Sequence, residues 1–369
     1  MTAPAKRATL ESIAERVGVT KMTVSRALRG VGRISDGTRQ RVREAAAELG
    51  YLELNQGILT APSHRGKTDL SLRLIVAYIK GDQEAQESEL SQELLRGLKE
   101  RVAFCHGSVK VIVIESLKDI LAAWDEHRAH GLVLRCVLPP AWVETLRQRG
   151  PVVYATSNDV YAGVDAVYCT EMRTAVLVSS YLHRHGHDNV AWFGFFDKHI
   201  QAYKLLNEDN FYKIASGQGP RYAAWSYFAQ YGGRSTSNTV VILERDWNTD
   251  SLSDVVRRGL ATILIARPRP SAIVAPGNFA GKALIEQARE VGLRIPEDIS
   301  IISYGGVHTA RQTTPPLTCV TLPHYTIGRT IPELVERRLA DPDATPVTLQ
   351  FEADIRDGET VASLSADNE

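Results

Sequence analysis

The chain has 369 residues, 44% of them apolar, and its 43 basic side chains are balanced by 43 acidic ones. That is enough apolar content for one small and one large globular domain, and the charge balance argues against a generally sticky polycation. No apolar run approaches the roughly 18 residues that a membrane-spanning helix needs. The stretch MTAPAKRATLESIAERVG lacks the apolar core of a secretory signal, so the expected location is the cytoplasm.

Charge is unevenly distributed. Up to Thr60 there are ten basic residues against six acidic ones, leaving the N-terminal segment at plus four and the remainder at minus four. A basic head on a mildly acidic body points to an anionic partner for the head. Thr9 is a plausible N-cap, and apolar residues at Leu10, Ile13, Ala14 and Val17 then follow the stripe of an amphipathic helix that Gly18 ends. Thr20 caps a second helix running to about Arg29, where Gly30 and Gly32 stop it. Ser35 caps a third, with its stripe at Val42, Ala45, Ala46 and Leu49. Two helices joined by a tight glycine-containing turn, closed by a third, form the helix-turn-helix pattern.

At about 100° per residue, Val24, Ala27 and Leu28 share one face of the second helix, while Met22, Ser25, Arg26 and Arg29 point the other way. Such a face is either solvated or aimed at a partner. In the DNA-reading case Arg26 can fork onto guanine, Lys21 can reach a guanine or a phosphate, and Met22 offers apolar contact to a thymine methyl. Thr9, Thr20, Thr23, Ser25 and Arg29 are the candidates for backbone phosphates.

The stretch from Thr9 to Tyr51, with VTKMTVSRAL followed by RISDGTRQRVREAAAELGY, resembles the DNA-binding head of the LacI/GalR family of bacterial transcription regulators. GHDNVAWFG, GLRIPEDISIISY and PPLTCVTLPHYTIGR resemble segments of the family's body, so the likeness spans nearly the whole chain. The resemblance implies an α/β fold class: an all-α helix-turn-helix head joined to a periplasmic-binding-protein-like body of two α/β subdomains with parallel sheets. It further implies a homodimer on double-stranded operator DNA and a small-molecule effector in the cleft. No cofactor is implied.

The linker departs from the family form. YLELNQGILTAPSHRGKTDLS lacks the usual ARxL of a hinge helix, and Gly57 and Pro62 interrupt it. Ile58 or Leu59 either wedges into the minor groove or packs the head against the body. The expected layout is a DNA-binding domain over 1–52, a linker over 53–69, an effector-binding and dimerisation domain over 70–362 and a tail at 363–369. Within the body, a first subdomain is expected from about 70–168 and 305–322, and a second from about 169–304 and 323–362.

Eight apolar runs in the body read as strands: Leu74 to Ile79, Val109 to Ile114, Leu132 to Val137, Val152 to Ala155, Val190 to Phe193, Val240 to Leu243, Ala272 to Ala275 and Ile299 to Tyr304. Ligands gather beyond the carboxyl ends of such strands, which nominates Tyr78, Lys80, Thr156, Ser157 and Tyr304. By resemblance, Arg221 in RYAAW holds ligand hydroxyls and Trp247 in ILERDWN stacks on a sugar face. Two expected polar groups are missing: VAPGNF puts Pro276 and Gly277 where an Asn-Asp pair is usual, with Asn278 one step beyond, and ISYGG puts Gly305 where an Asp is usual. Either the effector is not an ordinary sugar or the site is rebuilt around other residues; the expected effector is a sugar or sugar derivative, and with Arg221 retained and carboxylates removed an anionic or phosphorylated one is an option. Phe195 to Gly219 is longer than the usual loop and is a candidate lid or interface.

Cys105, Cys136, Cys169 and Cys319 are far apart and without ligand spacing, so they read as buried small hydrophobes. His183, His185 and His187 alternate, but a helix end without a Cys or Asp array favours solvated histidines over a metal site. No GxSxG, HExxH, P-loop or GxGxxG appears, so no catalytic residue is nominated. Two function classes remain: an effector-controlled repressor, or a ligand-binding module or sugar-handling enzyme with a vestigial head.

Overall fold

The computed structural model describes residues 10–28, 34–48, 71–80, 87–155, 163–197, 221–226, 239–245 and 250–364, and the chain divides into two compact units, Met1–Thr68 and Asp69–Glu369. The first unit contains α1 (Leu10–Val17), α2 (Lys21–Leu28) and α3 (Asp36–Glu48). Gly18 turns the chain between α1 and α2 at φ +73°, a conformation that a Cβ would disfavour. The core of this unit is Ile13, Ala14, Val24, Ala27, Val42, Ala45 and Ala46, with Val17, Val19 and Ile34 packed against it. The seven core residues and Val17 all fall on the three apolar stripes, whereas Val19 and Ile34 come from the flanking turns, and the burial of Leu10, Leu28 and Leu49 lies outside the described set.

The second unit holds two six-stranded sheets. The first is built from β1 (Arg73–Ile79), β2 (Ser108–Ile114), β3 (Gly131–Leu134), β4 (Val152–Tyr154), β5 (Asp165–Cys169) and a later strand, β11 (Thr348–Phe351). Its order is β11-β5-β4-β3-β1-β2, and every pairing is parallel. The second is built from β6 (Val190–Asp197), β7 (Thr239–Arg245), β8 (Ala272–Ala275), β9 (Ser300–Tyr304), β10 (Thr318–Thr321) and β12 (Asp354–Arg356), in the order β12-β10-β9-β8-β6-β7. Only β12 runs antiparallel, along β10, so this sheet is parallel with one reversed edge strand.

Helices cover both faces of each sheet, as parallel strands buried on two sides require. In β1 the alternation is plain: Ile75, Ala77 and Ile79 pack under α5 (Leu117–Glu126) and α6 (Pro140–Arg147), while Leu74, Val76 and Tyr78 face α4 (Glu89–Phe104) and α11 (His324–Ala340). In the second half, Ala191 and Phe193 face α8 (Leu252–Ile265) and α9 (Asn278–Glu290), and Trp192 faces α7 (Glu171–Arg184). A short α10 (Val307–Arg311) joins β9 to β10.

The expected division of the C-terminal third is corrected. Residues 318–321 pair with β9 in the second sheet, not the first, and α11 packs on α4 and on the first sheet. A Cβ on Gly328 of α11 would collide with the Leu94 carbonyl of α4, so the two helix backbones are in close contact. The chain therefore crosses between the halves three times: near Thr170, near Pro323, and between β11 and β12.

Four strands, β5, β10, β11 and β12, were not expected from apolar runs, and β6 continues to Asp197, into the segment expected to be loop from Phe195. Cys136, Cys169 and Cys319 are buried, whereas Cys105 is only partly covered, and none of the four forms a disulfide among the described residues. Among the described residues no helix is long and apolar enough to cross a membrane.

Candidate functional site

In the first unit, α2 buries Val24 and Ala27 completely and leaves Met22 61% exposed. An exposed methionine at the start of a helix whose opposite face is fully buried is poised for contact rather than for packing. Thr20 caps α2: its Oγ1 accepts from the Thr23 amide at 3.2 Å and lies 2.9 Å from the Thr23 hydroxyl. Lys21, next along, is exposed and meets Glu11 of α1 at 3.5 Å. An exposed pair of this kind contributes about 0–1 kcal/mol, so Lys21 is readily released to a stronger anion. Ser25 and Arg26 lie on α2, with side chains outside the described set, as is that of Leu28. Thr9, Arg29 and Leu59 lie outside the described residues.

In the second unit, the carboxyl ends of the strands and the crossing segments converge around a buried ion pair. Arg221 donates from Nε to both Glu171 oxygens at 3.1 and 3.3 Å and from Nη2 to Glu171 Oε1 at 3.0 Å. Its Nη1 donates to the Pro276 carbonyl at 3.1 Å, and the guanidinium stacks 4.4 Å from the Tyr304 ring centroid. Burial works against the charge on Arg221, and the facing Glu171 carboxylate outweighs it, holding the guanidinium above its ordinary pKa. Trp192 lies against Tyr222, Trp225 and Tyr304, giving the pair an aromatic floor.

The first turn of α4 forms the seam between the halves. Glu89 accepts from the His308 amide at 2.9 Å, the Thr309 amide at 2.8 Å and the Thr309 hydroxyl at 2.7 Å, all at the start of α10 in the second half. Leu90 packs against the cluster containing Trp225 and Tyr304. Ser91 accepts from Arg135 Nη2 at 3.1 Å, and Arg135 Nη1 donates to the Ala155 carbonyl. His324, at the head of α11, feels both guanidiniums: burial first, then Arg135 and Arg221, push its imidazole down to about 3, so it is neutral at pH 7.

The expected site residues fare differently. Tyr78 and Tyr304 are buried at the ends of β1 and β9. Lys80 is exposed and paired with Glu115 at 2.5 Å. Asn278 is committed within the fold: it accepts from the Ser303 hydroxyl at 2.7 Å and donates to the Gly306 carbonyl at 2.7 Å. A Cβ at Gly305 would strike the Asn278 amide, and one at Gly306 would strike the Glu89 carboxylate. The ISYGG spelling thus makes room for two side chains arriving from elsewhere in the fold.

The expectation that no carboxylate stands beside Arg221 is corrected, because Glu171 supplies one from 50 residues away. Thr156, Ser157 and Trp247 lie outside the described residues, as do residues 198–219 of the long loop. The histidine triplet diverges: His183 meets Asp188 at 2.7 Å and His185 meets the Tyr181 carbonyl at 2.9 Å. His187 is buried, not solvated, between the Ser271 hydroxyl at 2.9 Å and the Ala362 carbonyl at 3.0 Å.

Glu171, Arg135, His324 and Glu89 were not nominated from sequence. Arg135 carried a signal, a lone cation inside the apolar run LVLRCVL. The others carried none, since their partners lie far along the chain.

Two family models match the chain: "Bacterial regulatory proteins, lacI family" over residues 9–53 and "Periplasmic binding protein-like domain" over residues 179–361. The chain is 22% identical over 369 residues to the HTH-type transcriptional repressor PurR of Vibrio atlanticus (strain LGP32), covering 97% of this chain and 100% of that one. It is 24% identical to the HTH-type transcriptional repressor CytR of Escherichia coli (strain K12), over 87% of each. Among solved structures, a transcriptional regulator CelR–cellobiose complex aligns with a TM-score of 0.62 at 20% identity, over 96% of this chain and 100% of that one. The lac repressor dimer bound to operator and the anti-inducer ONPF aligns with a TM-score of 0.60 at 18% identity, over 97% of this chain and 100% of that one. With the head matched by its own model, the body by a second, and full-length repressors aligned end to end, the chain belongs to the LacI/GalR family of bacterial transcription regulators.

Proposed function

We propose that this protein is a DNA-binding transcriptional repressor that grips a near-palindromic operator as a homodimer in the cytoplasm, its affinity set by a small molecule held between the two α/β halves. The observation that carries the reading is α2: one face is fully buried, and the other offers an exposed Met22 beside an exchangeable Lys21. Lys21, Met22 and Arg26 are the base readers. Thr9, Thr20, Thr23, Ser25 and Arg29 fix the register on phosphates, and Leu59 is the candidate minor-groove wedge. Nothing in this reading calls for catalysis.

The effector acts by differential affinity for two arrangements of the halves, and thereby on the separation of the heads in the dimer. Arg221 with Glu171, Tyr78 and Tyr304 are the described groups that support an effector site at the seam. Thr156, Ser157 and Trp247 complete the proposed set, with Lys80 and Asn278 at its margin.

The test is binding to a duplex selected from a random pool, measured against salt. Specific binding falls steeply with salt, and Arg26→Ala costs about 1–3 kcal/mol of operator affinity and relaxes selectivity at one base position. Absence of any sequence-selective binding sinks the reading. A companion variant, Glu11→Gln, frees Lys21 and removes a negative charge near the phosphates, so affinity for the same duplex rises by about 0.5 kcal/mol, roughly twofold.

A further inference from the structure

Among the described residues, five polar groups at the seam of the second unit have no hydrogen-bond partner: Tyr78 Oη, Tyr304 Oη, Trp225 Nε1, Arg135 Nε and His324 Nδ1. Tyr78 and Tyr304 are 1% exposed and Trp225 is 3% exposed, so water does not serve these side chains from the surface. Native folds leave few such groups, and each calls for an explanation. These five come from both halves and from the crossing segment: Tyr78, Arg135 and Tyr304 lie at or just beyond the carboxyl ends of β1, β3 and β9, where α/β sheets hold their ligands, Trp225 lies in the helical turn that carries Arg221, and His324 heads α11. They are what a ligand bridging the halves would satisfy.

Their chemistry narrows that ligand. The Trp225 indole N–H and the Arg135 Nε–H only donate, and the two tyrosine hydroxyls donate or accept. The ligand must therefore be rich in acceptors. Charge narrows it again. Arg221 is neutralised by Glu171. Arg135 bonds only to neutral oxygens, Ser91 Oγ and the Ala155 carbonyl, and no carboxylate lies within ion-pair distance of it among the described residues. Among the described residues the seam is left with one uncompensated guanidinium, and it is not the one that sequence resemblance nominates.

We propose that the effector is a small anion whose carboxylate or phosphate sits on Arg135, with further acceptor atoms turned to Trp225, Tyr78 and Tyr304. The proposal rests on the seam being the effector site. Arg221, locked by Glu171, shapes the floor and takes no part in binding the charge.

The experiment is calorimetric titration of the full chain with paired probes: glucose against glucose 6-phosphate, glucose against gluconate, ribose against ribose 5-phosphate, and inorganic phosphate alone. At least one anionic member binds while its neutral partner does not, and the phosphate and carboxylate arms identify which anion is preferred. Arg135→Gln weakens that binding by about tenfold or more, and Arg135→Lys, which keeps the charge and loses the fork, recovers part of it. Far-ultraviolet circular dichroism and the melting midpoint check that both variants are folded. Equal binding of neutral and anionic members, no binding of any anion, or an unchanged anion affinity in Arg135→Gln overturns the proposal. Anion binding that depends on Arg135 yet leaves operator affinity untouched would uphold the ligand class and remove the effector reading instead.

Discussion

Replacing Glu171 by alanine is expected to lower the unfolding free energy of the Asp69–Glu369 unit by about 3–5 kcal/mol, the cost of leaving a buried charge without its partner. The two side chains are only 8% and 10% exposed, and Glu171 takes three of the four hydrogen bonds that Arg221 donates. Without the carboxylate, the guanidinium retains the Pro276 carbonyl and the Tyr304 face, neither of which balances a full charge. The pair as a whole is a different matter. Two desolvated ions gain little over well-packed apolar side chains, so Glu171→Leu combined with Arg221→Met should recover most of the loss. Urea unfolding of the single and double variants, followed by tryptophan fluorescence from the Trp192 and Trp225 cluster, reads both numbers. A single variant within about 1 kcal/mol of the parent protein would mean that water enters the site and the burial argument fails.

The buried pair also marks where sequence reading stops. The head was legible because its determinants are local: caps at Thr20 and Ser35, a glycine turn, and three short apolar stripes that became one core. Eight strands were legible as apolar runs. The other four were not, for reasons of context. β5 begins with Asp165, which is 1% exposed and reads as a loop residue until Arg338 at 3.0 Å, Arg337 at 3.3 Å and the Val347 amide at 2.9 Å arrive from far along the chain. β11 and β12 are short sheet edges whose residues are at best half-buried, so hydrophobic patterning hardly marks them.

The same distance in sequence hid the site. Arg221, Tyr78 and Tyr304 were reachable from strand ends and family spelling. Glu171 was not, because a carboxylate at the start of a helix is ordinary until its partner is known. The missing Asp at Gly305 looked like a lost ligand contact, and the fold gives it another meaning. With Asn278 and Glu89 occupying the space beside Gly305 and Gly306, the glycines are the condition for two contacts that sequence order keeps apart.

That reading makes Glu89 the second strong test. Its carboxylate bonds two backbone amides and one hydroxyl at the start of α10, joining the first half to the second. Burial alone would raise its pKa, but the hydrogen bonds from Thr309 and His308 prevail and hold it below its ordinary value of 4.5. Glu89→Ala should cost about 2 kcal/mol, since a charged acceptor serving otherwise unpaired amides is replaced only partly by water at this half-exposed position. A lowered folded pKa means that the contribution is complete above about pH 4.5 and is lost as the pH falls through the folded value. The stability difference between the parent protein and Glu89→Ala is therefore constant from pH 7 to pH 5 and shrinks below pH 4.5. Gly306→Ala, which pushes a methyl into the carboxylate's place, should mimic the loss at neutral pH. Because this contact spans the halves, the same energy weighs on their arrangement, and about 2 kcal/mol corresponds to roughly a thirtyfold change in the balance between two arrangements. Both variants should then shift operator affinity in the same direction while leaving α2 and its contacts intact, and a destabilised body with unchanged operator affinity would show that the seam does not report to the heads.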